Sequence, residues 1–520
     1  MDIFIKATQF ILSLSLLIIL HELGHFIPAK LFKTKVEKFY LFFDYKFSLF
    51  KKKIGETVYG IGWIPLGGYV KIAGMIDESM DIEQMKEEPK SWEFRSKPAW
   101  QRLIIMLGGV FVNFILAIFI YIMLLYAYGE KYLPNENVKD GVWVRDSLAV
   151  EIGLQNGDKI LAVDGNSIKR FSDITMEFIN GNNYTIERNG EIIQKELPID
   201  FIDKLISKKQ KIGFVVFPRS PFIIAEVPEN SINKSVGLKD KDLLVEIDGN
   251  PIKYFDEAES LFKEYAGKEV SISVKRDEGI KTFDINVSDQ GKLEVLTYGL
   301  GLFELEKLGY YDLANKNYSF IQAIPAGTKK SYETLANYIK QFKKIFNPST
   351  GAYKGVGGFI SIGNIFPATW SAESFWNITA LLSIILGFMN LLPIPALDGG
   401  HVVFTLWEII TGRKPGDKFL EYAQVTGFIL LIALLLFAFS TSITWCYYGD
   451  RSTAYIFGEK GVIWYRNFYV LCFILAAVID TTVVWNIAYV VVALVSIPNL
   501  IAMFFLRKEM KLLSDEFEVR

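Results

Sequence analysis

The chain has 520 residues, of which 51% are hydrophobic and 22% charged, and its mean hydropathy is +0.25. A positive mean hydropathy over this length indicates membrane-spanning segments and excludes a disordered or collagen-like polymer. The 56 basic and 58 acidic residues leave a net charge of −2, so the chain lacks the basic surface of a dedicated nucleic-acid-binding protein. Two cysteines are too few for a cysteine-based zinc cluster, and a histidine-based metal site must use most of the 3 histidines.

Apolar runs long enough to cross a bilayer recur along the chain. Residues 3–20 form the first run, and no small-residue cleavage site follows it, so we predict a retained spanning helix rather than a signal peptide. This helix continues into residues 21–29. Further predicted spans lie at residues 103–127, 376–397, 425–440, 467–482 and 484–506.

Aromatic and β-branched side chains are concentrated between the first two spans. They occupy residues 39–50 and 57–72, which three lysines and Gly55 separate. This pattern predicts a short antiparallel sheet. Beside spanning helices, a sheet enters the bilayer only where protein or a wet cavity covers its backbone groups. Residues 31–98 are therefore predicted to form a cytoplasmic or membrane-reentrant β region.

A mixed polar insert of about 240 residues separates the second and third spans and contains an internal repeat. Residues 153–168 recur as residues 237–252, at an offset of 84 positions. Each copy contains an apolar run that ends in Asp-Gly-Asn, which is typical of a tight hairpin turn. The copies resemble the PDZ domain in its circularly permuted form, which binds extended peptides at a sheet edge. The alternative is a pair of small β domains that act as spacers.

Basic residues in the short connections predict the orientation of the chain in the membrane. Lysines are frequent in residues 31–98, and Arg413, Lys414 and Lys418 lie in the connection 399–420. Both connections are therefore predicted to be cytoplasmic. Four spans then place the N-terminus and the repeat-bearing insert on the extracytoplasmic side.

The candidate chemistry lies at the end of the first apolar run. His21 and His25 are four residues apart on a helix, so both imidazoles project from one face and can bind one zinc ion. Glu22 lies beside them and is a candidate general base. Ionisable groups at membrane depth are costly and tend to mark function. Histidines that are satisfied inside a packed core are the structural alternative.

A third metal ligand is needed, because hydrolytic zinc sites usually have three protein ligands and one open position. Asp398 and His401 are the candidates, both at the end of a predicted span in which Pro393 and Pro395 break the helix. We favour Asp398, because its burial requires a cationic partner, whereas His401 lies closer to the basic connection.

Four motifs occur in the order seen in one family. These are His-Glu-Leu-Gly-His at 21–25, Pro-Leu-Gly-Gly-Tyr-Val-Lys at 65–71, the paired PDZ-like insert, and the segment 390–401, which contains Leu-Asp-Gly-Gly-His. Residues 1–438 thereby resemble the site-2 intramembrane metalloproteases of peptidase family M50, the regulator of sigma-E protease group. The resemblance implies a metalloendopeptidase of the bacterial inner membrane with Zn²⁺ as its cofactor.

The resemblance also implies the roles of individual residues. His21, His25 and Asp398 are expected to bind zinc, and Glu22 is expected to be the catalytic acid and base. The implied substrate-binding residues are Asn390, Gly67, Gly68 and Tyr69. Asn113 also matches a family position, and a helix-packing role explains it equally well.

The implied substrates are single-span membrane proteins, either regulators that resemble anti-sigma factors or signal-peptide remnants. Residues 57–72 are expected to pair with the unwound substrate. The PDZ-like domains are expected to contact its extracytoplasmic part and to act as a size filter.

The end of the chain departs from this family. Residues 439–520 resemble the C-terminal part of sodium/alanine symporters, with the change near residues 435–440. This tail contains two possible spans, and we interpret it as a fusion or misassembled appendage rather than as a transporter. Two alternative functions remain open at this point: a catalytically inactive PDZ-bearing scaffold, and a symporter fragment limited to the tail.

The predicted fold is a polytopic α-helical membrane protein with a membrane-associated β-hairpin or sheet and two inserted PDZ-like α+β domains. The predicted segments are 1–30 (first span), 31–98 (β region), 99–130 (second span), 131–218 and 219–300 (PDZ-like domains), 301–374 (helical connection), 375–440 (third and fourth spans) and 441–520 (appendage).

Overall fold

A computed structural model describes most of the chain up to residue 416 and parts of the rest. The described residues are 2–75, 88–207, 216–277, 279–395, 397–416, 419–420, 422–423, 425–427, 446–447, 449–451, 453–455 and 457–478. They fall into two compact units, Met1–Gly416 and Asp417–Arg520.

Helices account for the membrane-spanning part and for the connections in the insert. The α-helices of the described residues are α1 Asp2–Leu31, α2 Ala99–Tyr128, α3 Ser147–Glu151, α4 Ile174–Asn180, α5 Phe201–Ser207, α6 Phe255–Glu264, α7 Leu302–Lys307, α8 Phe320–Ile345, α9 Phe359–Gly363, α10 Ala372–Leu391, α11 Asp398–Thr411 and α12 Glu459–Val478.

Strands occur between α1 and α2 and throughout the insert. Those of the described residues are β1 Val36–Phe43, β2 Phe50–Ile54, β3 Thr57–Ile61, β4 Ile64–Ile72, β5 Glu130–Tyr132, β6 Val142–Trp143, β7 Lys159–Val163, β8 Asn166–Ser167, β9 Asn183–Arg188, β10 Glu191–Glu196, β11 Phe217–Pro218, β12 Ile224–Glu226, β13 Leu243–Ile247, β14 Asn250–Pro251, β15 Glu269–Arg276, β16 Gly279–Asn286, β17 Leu296–Thr297 and β18 Ala314–Lys316.

Three helices of the described residues, α1, α2 and α10, are long and apolar enough to cross a membrane. They contain the first two predicted spans and most of the third. The third helix ends at Leu391, earlier than predicted, because Pro393 and Pro395 follow and a proline disfavours helical backbone in the residue before it. Most of the predicted span 425–440, and all of 484–506, lie outside the described residues. Residues 467–478 of the fifth predicted span belong to α12.

Close backbone packing joins α1 to α2. A Cβ atom on Gly24 would lie 2.4 Å from the carbonyl oxygen of Gly108, so only glycine permits this approach of the two helices. Apolar side chains continue the contact toward the C-terminal end of α1, where Ala29, Ile105 and Met106 are buried in one cluster with Val402 of α11. The helix that contains the histidine motif is therefore fixed against α2.

The sheet between α1 and α2 has the strand order β2-β3-β1-β4. β1 pairs antiparallel with β4 but parallel with β3, so the prediction of a purely antiparallel sheet is wrong. The reason is the hairpin of β2 and β3, which returns β3 beside β1 in the same direction. Among the described strands, β4 pairs only with β1 and forms one edge of the sheet.

The two repeats of the insert have the same topology. The first sheet has the order β10-β9-β7-β8, and the second has the matching order β16-β15-β13-β14. In both repeats the turn predicted from Asp-Gly has two residues with positive φ, 45° and 75° at Asp164 and Gly165 and 47° and 78° at Asp248 and Gly249. This backbone conformation suits a two-residue hairpin. Each repeat has its own apolar core.

A polar network joins the two repeats. The buried guanidinium of Arg219 donates to both carboxylate oxygens of Asp256, at 3.0 and 2.7 Å, and to the backbone carbonyl of Asp140. The Asp140 carboxylate accepts hydrogen bonds from Lys253 and from the hydroxyl of Tyr254. Asp140 of the first repeat thus contacts Arg219, Lys253 and Tyr254 of the second, next to the start of α6.

Candidate metal centre

His21 and His25 lie one turn apart on the buried face of α1. Their side chains are almost fully buried, and their rings meet edge to face with centroids 4.8 Å apart. The two Nε2 atoms are 3.3 Å from each other. Two imidazoles at this distance direct their Nε2 atoms toward one point, as they do when they share a metal ion.

Asp398 reaches the histidines because the chain reverses sharply after α10. A Cβ atom on Gly399 would lie 2.1 Å from the carbonyl oxygen of Leu392, so glycine is required where α11 begins. Asp398 is the first residue of α11, and its Oδ2 atom lies 3.2 Å from His21 Nε2 and 3.3 Å from His25 Nε2. His401, the competing candidate, is not part of the potential metal-binding group found among the described residues.

The three donor atoms fit a zinc ion. Ligands about 2.0–2.1 Å from a tetrahedral zinc ion lie about 3.3 Å from one another. The observed separations are 3.2, 3.3 and 3.3 Å. In addition, Asp398 Oδ2 is buried and, within the described part of the chain, forms no hydrogen bond of satisfactory geometry, as expected of an oxygen atom that binds a cation. Among the described residues, this group is the one that combines metal-binding donors at such distances.

A glycine on α2 makes room for the imidazoles. A Cβ atom on Gly109 would lie 2.4 Å from His25 Nε2 and 2.7 Å from His21 Cε1. Any larger residue would displace the rings. Gly109 therefore maintains the space that the two histidines occupy.

Groups of α2 contact the outer nitrogen of each histidine. His25 Nδ1 lies 2.8 Å from the carbonyl oxygen of Ile105, so that Nδ1–H donates and Nε2 remains free for a metal. His21 Nδ1 lies 3.0 Å from the side-chain amide of the fully buried Asn113. These contacts were not predicted from the sequence, since a backbone carbonyl is present at every residue and the partner of Asn113 was unknown.

Glu22 faces the edge strand of the sheet. The backbone N–H of Val70 on β4 donates to the Glu22 carboxylate, which also interacts electrostatically with His21, His25 and Asp398. Because alternate residues of a strand direct their backbone groups to the same side, Gly68 shares the edge of β4 that faces Glu22. A Cβ atom on Gly68 would lie 2.5 Å from Ile18 Cγ2, which shows how closely β4 approaches α1.

The other predicted substrate-binding residues have different surroundings. Asn390 lies at the metal centre, with Nδ2 3.2 Å from His21 Nε2. The ring of Tyr69 stacks on Tyr40 and Phe43, and its hydroxyl donates to Asp44 at 2.8 Å. Gly67 also packs near the Phe43 ring. The Tyr69 side chain therefore packs within the sheet, and its role in substrate binding stays a prediction.

Comparison with known proteins agrees with this geometry. Residues 9–434 match the sequence profile of peptidase family M50. The chain belongs to peptidase family M50. The regulator of sigma-E protease of Escherichia coli is 28% identical over 444 residues, which cover 82% of this chain and 96% of that protein. A protein of Neisseria meningitidis that is named a zinc metalloprotease is 28% identical over 449 residues, or 84% of this chain and 98% of that protein.

Two further matches concern parts of the M50 chain. A structural match to a PDZ domain of an SdrC-like protein from Listeria monocytogenes covers 18% of this chain and 93% of that domain. The identity is 20% and the TM-score is 0.14. Residues 418–520 match the sodium:alanine symporter family. The family, the enzyme class and the tail resemblance predicted from the sequence are thereby confirmed. The M50 and symporter matches overlap at residues 418–434, just before the predicted change at 435–440.

Proposed function

We propose that this metallopeptidase of family M50 is a zinc-dependent intramembrane endopeptidase that cleaves single-span membrane proteins. The observation that supports it best is the triangle of His21, His25 and Asp398, whose donor atoms suit zinc. The two histidines lie on α1, a helix that is long and apolar enough to span a membrane. Relatives are named zinc metalloproteases and regulator of sigma-E proteases. When bound, zinc supplies a Lewis acid that polarises the scissile carbonyl and makes a water molecule more acidic.

Glu22 moves the proton in the proposed reaction. Its carboxylate accepts a proton from the attacking water and transfers it to the leaving amine. The hydrogen bond from Val70 holds the carboxylate beside the metal ligands. Glu22 is thus the catalytic acid and base, and the three remaining residues are metal ligands.

The edge of β4 is proposed to bind the substrate backbone. A peptide bond inside a helix is protected by its own hydrogen bonds, so a transmembrane substrate must unwind before cleavage. Gly68 and Val70 direct backbone groups toward Glu22, and a substrate strand that pairs there regains the hydrogen bonds lost on unwinding. Asn390 contacts His21 Nε2 and is proposed to contact the same segment.

The proposed substrates are single-span regulators that resemble anti-sigma factors, or signal-peptide remnants, in the bacterial inner membrane. The two repeats are proposed to be PDZ-like domains on the extracytoplasmic side that contact the soluble part of the substrate. Their shared strand order and the hairpin turns support this assignment. The basic connections 31–98 and 399–420 support the orientation.

The test is cleavage of a single-span reporter by the purified full chain in detergent, together with its zinc content. We expect about one zinc ion per chain. Glu22→Gln should retain zinc and lower the cleavage rate by about 10²- to 10⁴-fold, because it removes the proton-transfer group and leaves the ligands in place.

The matched control is Glu229→Gln in the second repeat, where the Glu229 side chain is 92% exposed and pairs with Lys234. It should cleave at the wild-type rate. Unchanged cleavage by Glu22→Gln would exclude the mechanism. A zinc-loaded chain that cleaves no reporter would instead favour a membrane scaffold.

A further inference from the structure

Asn113 combines complete burial with a direct contact to a metal ligand. It lies in the middle of α2, its relative exposure is 0%, and its Nδ2 atom is 3.0 Å from His21 Nδ1. Its Oδ1 atom is also buried and has no hydrogen-bond partner in the described part of the chain. One amide atom therefore contacts an imidazole nitrogen while the other is unsatisfied.

Exchange of the two amide atoms gives His21 the tautomer that a metal ligand needs. The oxygen and nitrogen of an asparagine amide are assigned from their hydrogen bonds and are not distinguished directly. With Oδ1 at the position of Nδ2, the Asn113 carbonyl accepts a hydrogen bond from His21 Nδ1–H. The Nε2 atom of His21 then has its lone pair free, on the side where Asp398 and His25 Nε2 lie.

We propose that Asn113 is a positioning residue that fixes the tautomer and ring orientation of His21 for zinc. Three residues of α2 at intervals of four serve the two histidines: Ile105 accepts from His25, Gly109 leaves space for both rings, and Asn113 accepts from His21. Such outer hydrogen bonds orient histidine ligands and increase their basicity. Each histidine thus has its own acceptor on the same face of one helix.

Helix packing does not account for the amide group of Asn113. The Asn113 Cβ atom packs near Gly387 of α10, and the hydrogen bond with α10 runs from the Ser383 hydroxyl to the backbone carbonyl of Asn113, at 2.8 Å. Any residue other than glycine at position 113 offers both of these groups. Thr379 provides the comparison, because it is equally buried and its hydroxyl contacts Ser13 across the α1–α10 interface and the backbone carbonyl of Phe375.

The experiment measures zinc affinity by chelator competition. It uses the purified full chain in detergent and compares three variants with the wild type. Asn113→Leu removes the acceptor at similar volume and should weaken zinc binding about 10- to 100-fold. Asn113→Asp retains an acceptor and should keep the zinc affinity within about tenfold of wild type. Thr379→Val removes a buried helix-packing hydroxyl and should bind zinc as the wild type does.

A second measurement separates positioning from stability. The melting temperature of the metal-free Asn113→Leu chain should stay near that of the wild type, whereas the increase caused by zinc should shrink. If Asn113→Leu does not fold, Asn113→Ala replaces it with the same expectation. If Asn113→Leu binds zinc as tightly as the wild type, or if Thr379→Val loses as much zinc affinity as Asn113→Leu, the proposed role of Asn113 is wrong. The inference rests on the proposed zinc site, which fails separately if the wild type itself binds no zinc.

Discussion

Asp398 shows how one carboxylate completes the metal centre. It begins α11 next to a break in the helical chain, and its Oδ2 atom lies near two imidazoles without a hydrogen bond of satisfactory geometry to any described residue. A buried anion in this position requires a cation. His401, three residues later, lies almost one turn further along α11, and its backbone carbonyl accepts from Thr405. Both side chains can bind zinc, so Asp398 differs from His401 chiefly in its position beside the two imidazoles.

Substitution distinguishes the two candidates directly. Asp398→Asn should lose zinc and reduce cleavage at least about a hundredfold, since the Lewis acid contributes several kcal/mol. His401→Asn should retain both zinc and activity. Zinc content and reporter cleavage of the two purified variants are the measurements. Loss of zinc from His401→Asn with retention in Asp398→Asn would contradict the assignment.

The proposed ligand set could be selected from the sequence because ionisable residues are rare in apolar helices. His21, His25 and Asp398 stand out for this reason, and the structure brings them together. The supporting groups were not predictable in the same way. The Ile105 carbonyl and the Val70 N–H are backbone groups without any sequence signal, and they acquire their roles only when α1, α2 and β4 pack.

At the scale of elements, the decisive contact is that of β4 with α1. Composition predicted the strands but not their order, because pairing depends on connections as well as on residue type. The parallel pair of β1 and β3 is the consequence. It leaves β4 as an edge strand against α1, beside the metal ligands.

Gly68 is where this contact leaves no space for a side chain. A Cβ atom would lie 2.5 Å from Ile18 Cγ2 and 2.7 Å from the carbonyl oxygen of Tyr40. Gly68→Val should force β4 away from α1, at a cost of about 1–3 kcal/mol, and lower reporter cleavage at least tenfold. Zinc content should stay near wild type, because the three ligands lie on α1 and α11.

The control for this substitution is Gly299→Val, where a Cβ atom meets nothing within 4 Å. It should cleave at the wild-type rate. If Gly68→Val cleaves as well as the control, close packing of β4 on α1 is not needed for activity.

At the scale of the whole molecule, the insert is a pair of joined repeats. The 84-residue offset predicted two similar domains, and their strand orders match. Their connection through Arg219 and Asp140 was not predictable, because each partner is an ordinary charged residue in the sequence. The network limits the independent motion of the repeats.

Asp140 makes this connection dependent on pH. Hydrogen bonds from Lys253 and from Tyr254 hold the pKa of its carboxyl below the usual range. A lowered pKa stabilises the folded state above about pH 4, the unfolded value, and this contribution disappears as the pH falls through the folded pKa. The effect is small, at most about 1 kcal/mol, because the pair is partly exposed and screened.

Thermal unfolding at several pH values tests this expectation. Asp140→Ala should melt below the wild type at pH 7, and the difference should shrink as the pH falls below about 4 and the Asp140 carboxylate becomes protonated. Glu229→Ala, which removes an exposed acid, is the control and should show no comparable change. A difference that persists unchanged at pH 2 would mean that the carboxylate charge is not its cause.

The tail raises the question of how much of the chain the peptidase needs. The first compact unit ends at Gly416, the M50 match ends at residue 434, and the symporter match covers residues 418–520. We therefore expect a chain that ends at residue 440 to bind zinc and cleave the reporter at the full-length rate, since it keeps the predicted fourth span. A chain that ends at residue 416 lacks that span and should lose activity. If the chain that ends at 440 does not fold or cleave, the tail is a necessary part of the enzyme rather than an appendage.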